Sequence, residues 1–209
     1  MENVVELRHP LVQHHLCGLR NKETPSSEFR QAVNRLSILL AYEATKDLGL
    51  QETTVQTPLA TARGHTLARR IGLVPILRAG LGMVEPILNL IPEAEVWHLG
   101  FYRDEKHCDR SSTIKSSPER AVDVALVLDP MLATGGSAVA AVQAVKSWGA
   151  KQVKLISIIA APEGLRVIRE AHPETLIYTC AIDSHLDENG FIVPGLGDAG
   201  DRTFNARAK

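Results

Sequence analysis

The chain has 209 residues, 44% of them hydrophobic, and a formal net charge of −1 at pH 7. This near-neutral charge argues against nucleic acid as the main partner, because proteins that bind nucleic acid usually carry a basic stripe. The three cysteines stand too far apart for a disulfide framework or a zinc motif, and no run approaches the ~18 apolar residues of a membrane span. We therefore expect one cytoplasmic domain spanning residues 1–209, with no membrane segment.

The first long predicted element is a helix over residues 26–48, with Ser26 or Ser27 as its cap. Apolar side chains recur along it at helical spacing and predict a buried stripe: Phe29, Val33, Leu36, Leu40 and Ala44. Residues 53–64 follow as the two short strands of a predicted hairpin or sheet edge.

From residue 71 onward, short apolar runs alternate with amphipathic segments. The predicted strands are "IGLVPIL", "EVWHLGFY", "AVDVALVL", "QVKLISIIAA" and "ETLIYTCAI". Apolar strands that alternate with helices favour an α/β fold whose mostly parallel sheet is covered by helices on both faces. Residues 103–120 are the one long polar insertion, which predicts an arm or a flexible loop.

Near the end of the chain, "FIVPGLGDAGDR" contains three glycines, Gly195, Gly197 and Gly200, in the G-x-G-x-x-G spacing of a dinucleotide-binding turn. Such a turn needs a buried strand before the first glycine and a crossover helix after the last. Pro194 stands directly before Gly195 and cannot donate to a sheet, and only nine residues follow Gly200. We therefore expect a different use for these glycines.

The clearest chemical signal is "ALVLDPMLATGGS". A predicted strand ends at Asp129, and Thr134, Gly135, Gly136 and Ser137 follow where a helix begins. Converging backbone amides, hydroxyl donors and a helix N-terminus together form a cradle for a phosphate group. The Asp129 carboxylate can accept hydrogen bonds from the vicinal diol of a ribose. The alternative is a capped loop with a solvent-facing aspartate.

Two arginines also follow predicted strands. Arg78 stands in "VPILRAGLGM", before Gly80 and Gly82, and Arg103 stands in "LGFYRDEK". Arginine offers paired donors to phosphate oxygens, and ligands of parallel sheets bind beyond the carboxyl ends of the strands. Either arginine could instead be a solvated surface charge. With the Asp129 region, they predict a site for a molecule that has two separated phosphate groups and a sugar diol.

Here the sequence resembles a known family. "ALVLDPMLATGGS" resembles the phosphoribosyl-pyrophosphate loop of type I phosphoribosyltransferases. "VPILRAGLGM", "GFYRDE", "IAAPEGL" and "FIVPGLGDAGDR" resemble uracil phosphoribosyltransferases, and the likeness runs along nearly the whole chain. The resemblance implies an α/β, type I phosphoribosyltransferase-like fold with an inserted arm and a C-terminal base-binding hood, residues 183–209. It also implies transfer of the 5-phosphoribosyl group of 5-phosphoribosyl 1-pyrophosphate to uracil, giving UMP and pyrophosphate in pyrimidine salvage.

The same resemblance implies the site residues, with Asp129 as the catalytic residue. The implied donor-binding residues are Arg78, Arg103, Asp129, Pro130, Met131, Leu132, Ala133, Thr134, Gly135, Gly136, Ser137 and Asp198. The implied uracil-binding residues are Ile192, Gly197, Asp198 and Ala199. Mg²⁺ is expected to bind mainly through the donor, with no protein ligand named. A homodimer or higher homo-oligomer is also implied, and activation by GTP, known in some relatives, stays open.

The chain departs from the family pattern at two places. Residues 106–120, "KHCDRSSTIKSSPER", contain no aromatic residue where relatives usually carry a hairpin arm with Pro and Tyr, and Phe191 stands where Tyr is common. Because that arm helps form the dimer in the family, the departure leaves the assembly open. A rival hypothesis is a regulator of this fold that binds RNA or protein without turnover, but it predicts an eroded donor site. A phosphoribosyltransferase for another base is a further alternative.

Overall fold

The computed structural model describes residues 3–99, 101–103, 110–112 and 120–206. The strands of this part are β1 Val4–Glu6, β2 Leu50–Gln56, β3 Thr61–Leu67, β4 Ile71–Pro75, β5 Glu95–Val96, β6 Phe101–Arg103, β7 Arg110–Ser112, β8 Val124–Leu128, β9 Met131–Leu132, β10 Gln152–Ala160, β11 Leu176–Ile182, β12 His185–Leu186 and β13 Ile192–Val193. The helices are α1 Pro10–Arg20, α2 Ser26–Ala44, a 3₁₀ helix Ala79–Met83, α3 Val84–Leu90, α4 Gly136–Ser147, α5 Pro162–Ala171 and α6 Ala199–Phe204. None of these helices is both long and apolar enough to cross a membrane.

The central sheet has the strand order β1-β11-β10-β8-β4-β5, and β9 also pairs with β10. Every pairing within it is parallel, which confirms the predicted α/β architecture. In a parallel sheet the carboxyl ends of the strands meet at one edge, so the residues that follow β4, β8 and β11 are brought together. The β2–β3, β6–β7 and β12–β13 pairs are antiparallel and lie outside this sheet.

Helices cover both faces of the sheet, and the strand sequences explain why. All residues of β4 and β8 are buried, and neither strand contains a charge. Leu73 and Leu126 point to one core, which they share with α1, α2 and α3, whereas Val74 and Val127 point to a second core with α4 and α5. Strands buried on two faces require such continuous apolar runs.

Helix α2 has the predicted buried stripe, but both of its ends differ from the prediction. The N-cap is Pro25, which makes no side-chain cap and leaves Ser26 as the first helical residue, so neither serine caps the helix. The reason is that Pro25 is extended, with φ −66° and ψ 155°, and starts the helix directly after itself. At the other end the amide of Thr45 donates back to Ala41, and the helix ends at Ala44 rather than residue 48.

The polar insertion is described only in part. Strands β6 and β7 pair antiparallel, with Arg103 opposite Arg110, so a short two-stranded ladder begins just before the region predicted as an arm and its second strand lies within that region. Residues 104–109 and 113–119 lie outside the described residues, as does the side chain of Arg103. The predicted contact of that side chain with phosphate therefore stays a prediction.

Candidate active site

Asp129 directly follows β8 at the carboxyl edge of the sheet. Its amide donates to the carbonyl of Ile156 at 3.1 Å, and its carboxylate accepts the amide of Met131 at 3.3 Å. The side chain is half-buried. Burial raises the pKa of this carboxyl from 3.8 to about 7, although the bond from Met131 acts in the opposite direction. Near neutral pH the group therefore exchanges between an acid and a carboxylate, at the mouth where a ligand of a parallel sheet binds.

The β8–α4 loop, residues 129–135, surrounds a hollow of about 100 Å³. The hollow is lined by Asp129, Met131, Leu132, Ala133, Thr134, Gly135, Ser137 and Ala138. Ser137 and Ala138 belong to the first turn of the twelve-residue helix α4, and the N-terminus of a helix favours an anion. The loop is attached to strand β10, since Pro130 is buried and its carbonyl accepts the amides of Ile158 and Ile159, each at 3.1 Å. The arrangement is suited to holding a phosphate group.

Two glycines let this loop rest directly on helix α5. Gly135 has φ +82°, a conformation that side chains disfavour, and a methyl group there would lie 2.9 Å from the carbonyl oxygen of Gly164. A methyl on Gly164 would in turn overlap the carbonyl oxygen of Ala133. The sequence reading gave the "IAAPEGL" stretch no role of its own. In the structure it supports the back of the β8–α4 loop.

Arg78 follows β4, the strand that pairs with β8, at the same edge of the sheet. It precedes the 3₁₀ helix, and the turn is pressed against β8, because a methyl on Gly80 would overlap the carbonyl oxygen of Leu128. The side chain of Arg78 is 62% exposed, and its Nη2 donates to the carboxylate of Asp201 at 3.1 Å. The structure thus brings together the two predicted phosphate-binding elements that it describes.

The C-terminal segment, residues 183–206, bonds to Arg78 through Asp201 and passes close to the β8–α4 loop. A methyl on Gly190 would lie 3.7 Å from Cγ2 of Thr134, and one on Gly200 would lie 3.9 Å from Nη2 of Arg78. The amide of Leu186 donates to the carboxylate of Glu163 at 3.1 Å, which ties the segment to α5. A molecule held by this segment would therefore sit between the β8–α4 loop and Arg78.

The glycines of this segment make turns rather than a dinucleotide-binding motif. Strand β13 is only two residues long and pairs antiparallel with β12, and Gly195 and Gly197 have φ +61° and +77°. A methyl on Gly195 would overlap the carbonyl oxygen of Ile192. The expectation of another use for these glycines is therefore confirmed by the local geometry.

The four predicted uracil-binding residues fall into two pairs. Ile192 and Ala199 are buried and pack in the core, whereas Gly197 and Asp198 are exposed. Asp198 caps α6 by accepting the amide of Asp201 at 2.8 Å. The segment therefore offers a ligand chiefly the exposed backbone around Gly197 and Asp198. The buried side chains of Ile192 and Ala199 anchor this backbone to the core.

Sequence reasoning missed an ion pair that shapes this segment. Arg20, the last residue of α1, donates through Nη1 and Nη2 to the carboxylate of Asp183 at 2.8 and 2.5 Å. Arg20 also donates to the carbonyl of Gly195 at 2.7 Å, and the amide of Gly195 donates to Asp183 at 3.0 Å. Asp183 follows β11 directly, so the strand-end rule that identified Asp129 could have identified it.

Arg202 fastens the segment a second time. Its Nη1 donates to the carbonyls of Leu19 and Leu196 at 2.7 and 2.8 Å, and its Nη2 donates to that of Asn21 at 2.6 Å. The guanidinium also lies 4.3 Å from the centre of the Phe29 ring. These contacts join the segment to α1 and α2, and they place the Arg202 of "GDAGDR" in a structural role.

We expect Asp183→Asn to lower the free energy of unfolding by about 1–3 kcal/mol, because it leaves the Arg20 guanidinium without its charged partner. The substitution keeps the shape of the side chain, which is only 5% exposed. Urea unfolding followed by circular dichroism measures the change. Glu23→Gln is the matched control, since Glu23 is 79% exposed and lies 3.8 Å from Lys22. Equal stabilities for the two variants would contradict a structural role for the Arg20–Asp183 pair.

The chain is similar to known proteins over nearly its whole length. A family model described as uracil phosphoribosyltransferase matches residues 5–206. A uracil phosphoribosyltransferase of Roseiflexus castenholzii is 58% identical over 205 residues, covering 98% of this chain and 99% of that protein. One from Brevibacillus brevis is 46% identical over 209 residues, covering 99% and 100%.

Solved structures extend the likeness. The structure of a protein from Aquifex aeolicus superposes with a TM-score of 0.90 at 38% identity, covering 99% of this chain and 100% of that one. An adenine phosphoribosyltransferase of Trypanosoma brucei, solved with AMP, pyrophosphate and ribose-5-phosphate, has a TM-score of 0.60 at 13% identity, covering 95% and 89%. At that identity the second likeness shows the type I phosphoribosyltransferase fold alone.

Proposed function

Because the chain belongs to the uracil phosphoribosyltransferase family, we propose that it transfers the 5-phosphoribosyl group of 5-phosphoribosyl 1-pyrophosphate to uracil. The products are UMP and pyrophosphate, which makes the reaction a step of pyrimidine salvage. The observation that carries this function is the position of the C-terminal segment, which bonds to Arg78 through Asp201 and passes close to Thr134 at Gly190. A base on that segment adjoins a sugar phosphate in the β8–α4 loop and a leaving group on the arginine.

The donor is held at three points. The first turn of α4 and the hydroxyls of Thr134 and Ser137 bind the 5-phosphate in the hollow of the β8–α4 loop. The Asp129 carboxylate accepts hydrogen bonds from the two ribose hydroxyls. Arg78, together with Arg103, binds the pyrophosphate oxygens, and each charge-assisted contact contributes about 1.5–3 kcal/mol net. Fixing both ends of the donor leaves the anomeric carbon exposed to the base.

In the transfer, the bond from the anomeric carbon to the pyrophosphate oxygen breaks and its electron pair leaves with pyrophosphate. A bond forms between the anomeric carbon and N1 of uracil, and the N1 proton passes to water. Positive charge develops on the ribose and negative charge on the leaving group. Asp129 lies on the ribose side and Arg78 on the leaving-group side, so fixed charges of opposite sign face the charges that develop.

The open backbone of the C-terminal segment gives the site its preference for uracil. Along its polar edge uracil presents acceptor, donor and acceptor, whereas cytosine presents acceptor, acceptor and donor. Backbone groups of residues 197–199 that match the first pattern leave polar groups unpaired against the second. A site that hydrogen-bonds its substrate in this way can reject a mismatched analogue by roughly 10⁴-fold.

Mg²⁺ bound to the donor would supply positive charge to the leaving pyrophosphate, beside Arg78. Magnesium usually keeps several waters and binds through substrate phosphates with few protein ligands. Among the described residues, no three His, Cys, Asp or Glu side chains are grouped as the ligands of a metal ion would be. The further proposals are a cytoplasmic location and a homodimer or higher homo-oligomer, both resting on the family.

The test is formation of UMP and pyrophosphate from the donor and Mg²⁺, with uracil, cytosine, orotate and hypoxanthine offered in parallel. We expect turnover with uracil alone. Turnover with another base would overturn the assignment of the C-terminal segment but keep the donor site. Saturable donor binding without turnover of any base would instead favour the regulator of this fold that binds RNA or protein.

A further inference from the structure

Asp201 contacts the donor half of the site although it belongs to the C-terminal segment. It lies in the first turn of α6, and its carboxylate accepts Nη2 of Arg78 at 3.1 Å. The Asp201 side chain is 26% exposed and that of Arg78 is 62% exposed. The two side chains stand 123 residues apart in the chain, so the fold brings them together.

From Asp201 the contacts continue into the uracil-binding turn. The amide of Asp201 donates to the carboxylate of Asp198 at 2.8 Å. Between them Gly200 keeps the space open, since a methyl there would lie 3.2 Å from Oδ1 of Asp198 and 3.9 Å from Nη2 of Arg78. Arg78, Asp201 and Asp198 therefore form a continuous path from the pyrophosphate site to the base site.

One contact to Asp201 leaves Arg78 free to bind a phosphate as well. A guanidinium has five N–H donors in a rigid plane, and the bond to Asp201 engages one of its terminal nitrogens. The remaining donors stay on a side chain that is mostly exposed. Asp201 thus fixes the direction of the plane without occupying its other edges.

We propose that Asp201 is a positioning residue that orients Arg78 toward pyrophosphate and couples occupancy of the pyrophosphate site to the uracil site. The proposal rests on the proposed function. When phosphate oxygens bind the free edges of Arg78, the arginine and the start of α6 lose their freedom together. Uracil then meets an ordered turn and does not bear that entropic cost. By linkage, uracil strengthens pyrophosphate binding by the same factor.

The experiment is calorimetric titration of the full chain with uracil, with and without saturating Mg²⁺-pyrophosphate. In the wild type we expect uracil to bind about 5–20-fold more tightly when pyrophosphate is present, within the usual range of coupling between sites. In Asp201→Asn, which keeps the side-chain shape, we expect this factor to fall close to 1. In kinetics the same variant raises KM for the donor about 10-fold, the loss expected from one weakened charged contact, and changes kcat less.

Arg30→Gln is the matched control. Arg30 donates to the carbonyl of Thr203 at 2.9 Å, near the far end of α6, so the variant loosens the same helix without touching Arg78. Retained coupling in Arg30→Gln and lost coupling in Asp201→Asn support the proposal. Wild-type coupling in Asp201→Asn, no coupling in the wild type, or equal loss in both variants overturns it. Turnover of uracil by the wild type separates these outcomes from failure of the proposed function.

Discussion

Asp129→Asn lowers kcat/KM for the donor by about 10²–10³-fold, the loss typical when one preorganised charge-stabilising group is removed from an active site. Asparagine preserves the size of the side chain and can still accept one hydroxyl. It cannot present two charged oxygens to the ribose diol, and it carries no negative charge opposite the developing cation. The effect therefore falls on both donor binding and the chemical step.

The pH dependence of the wild type gives the same prediction a second readout. The pKa of Asp129 is raised to about 7 by burial, so the carboxylate that accepts the hydroxyls is lost as the pH falls below about 7. We expect kcat/KM for the donor to fall as the pH falls below about 7. In Asp129→Asn no group ionises at this position, so this decrease at low pH disappears.

The folding stability of the wild type depends on pH in the opposite direction to its kcat/KM. Because the folded-state pKa lies above the ordinary value of 3.8, the fold favours the neutral acid, and this contribution to stability is lost as the pH rises through about 7. Asp129→Asn is neutral at every pH and is expected to unfold at a temperature no lower than the wild type at pH 8. The wild type thus gives up stability to keep a charge at its active site.

Steady-state kinetics from pH 5.5 to 9 and thermal unfolding at pH 8 test both halves. Asp123→Asn is the matched control, since Asp123 precedes the same strand at its opposite end and pairs with Lys151 at 2.8 Å. We expect this control to keep the wild-type pH profile. If Asp129→Asn retained more than a tenth of the wild-type kcat/KM, the carboxylate would not be the group that holds the ribose.

Gly195→Ala abolishes measurable uracil turnover while leaving the phosphate-binding hollow of the β8–α4 loop intact. Gly195 has φ +61°, and a methyl there overlaps the carbonyl oxygen of Ile192, so the turn must move. Both backbone groups of Gly195 are engaged by Arg20 and Asp183, and the movement displaces Gly197 and Asp198 with them. Misplacement of a substrate by about 1 Å can cost 10²-fold in rate, and here the whole pocket shifts.

The measurement pairs uracil kinetics with calorimetric binding of the donor. We expect saturable donor binding to persist, because the β8–α4 loop does not contact Gly195 through any of the bonds described above. Gly190→Ala is the control: Gly190 also has a positive φ, +82°, but the nearest atom to an added methyl is Cγ2 of Thr134 at 3.7 Å. Comparable uracil turnover in the two variants would sink the idea that the Gly195 turn shapes the base site.

The proposed donor half of the site could be predicted from local sequence. Its signals are consecutive in the chain: a buried strand, an aspartate at the strand end, and a stretch of glycines and hydroxyl residues before a helix. The positions of Asp129 and the loop after it could therefore be predicted from spacing alone. The same rule predicts Arg78, since parallel strands bring their carboxyl ends together. The sheet itself is encoded in the alternation of apolar strands with amphipathic helices.

The position of the proposed uracil site in the chain could be predicted from sequence, but the contacts that shape it could not. Its turns are local, yet the bonds that hold them join Arg20 to Asp183 and to Gly195, partners 163 and 175 residues apart. Hydrogen bonds across such distances leave no periodic signal in the chain. The predicted ends of α2 were wrong for a different reason. The extended Pro25 and the hydrogen bond from Thr45 determine where the helix begins and ends, and the apolar stripe does not.

The long separation between Arg20 and Asp183 has a consequence for the order of folding. Contacts between distant parts of a chain form against a large loop-closure entropy and tend to appear late, whereas strand–loop–helix units close early. During refolding, the loop after β8, the proposed phosphate site, should therefore form before the turn at Gly195 exists. The molecule would pass through a stage in which it recognises the sugar phosphate but not yet the base.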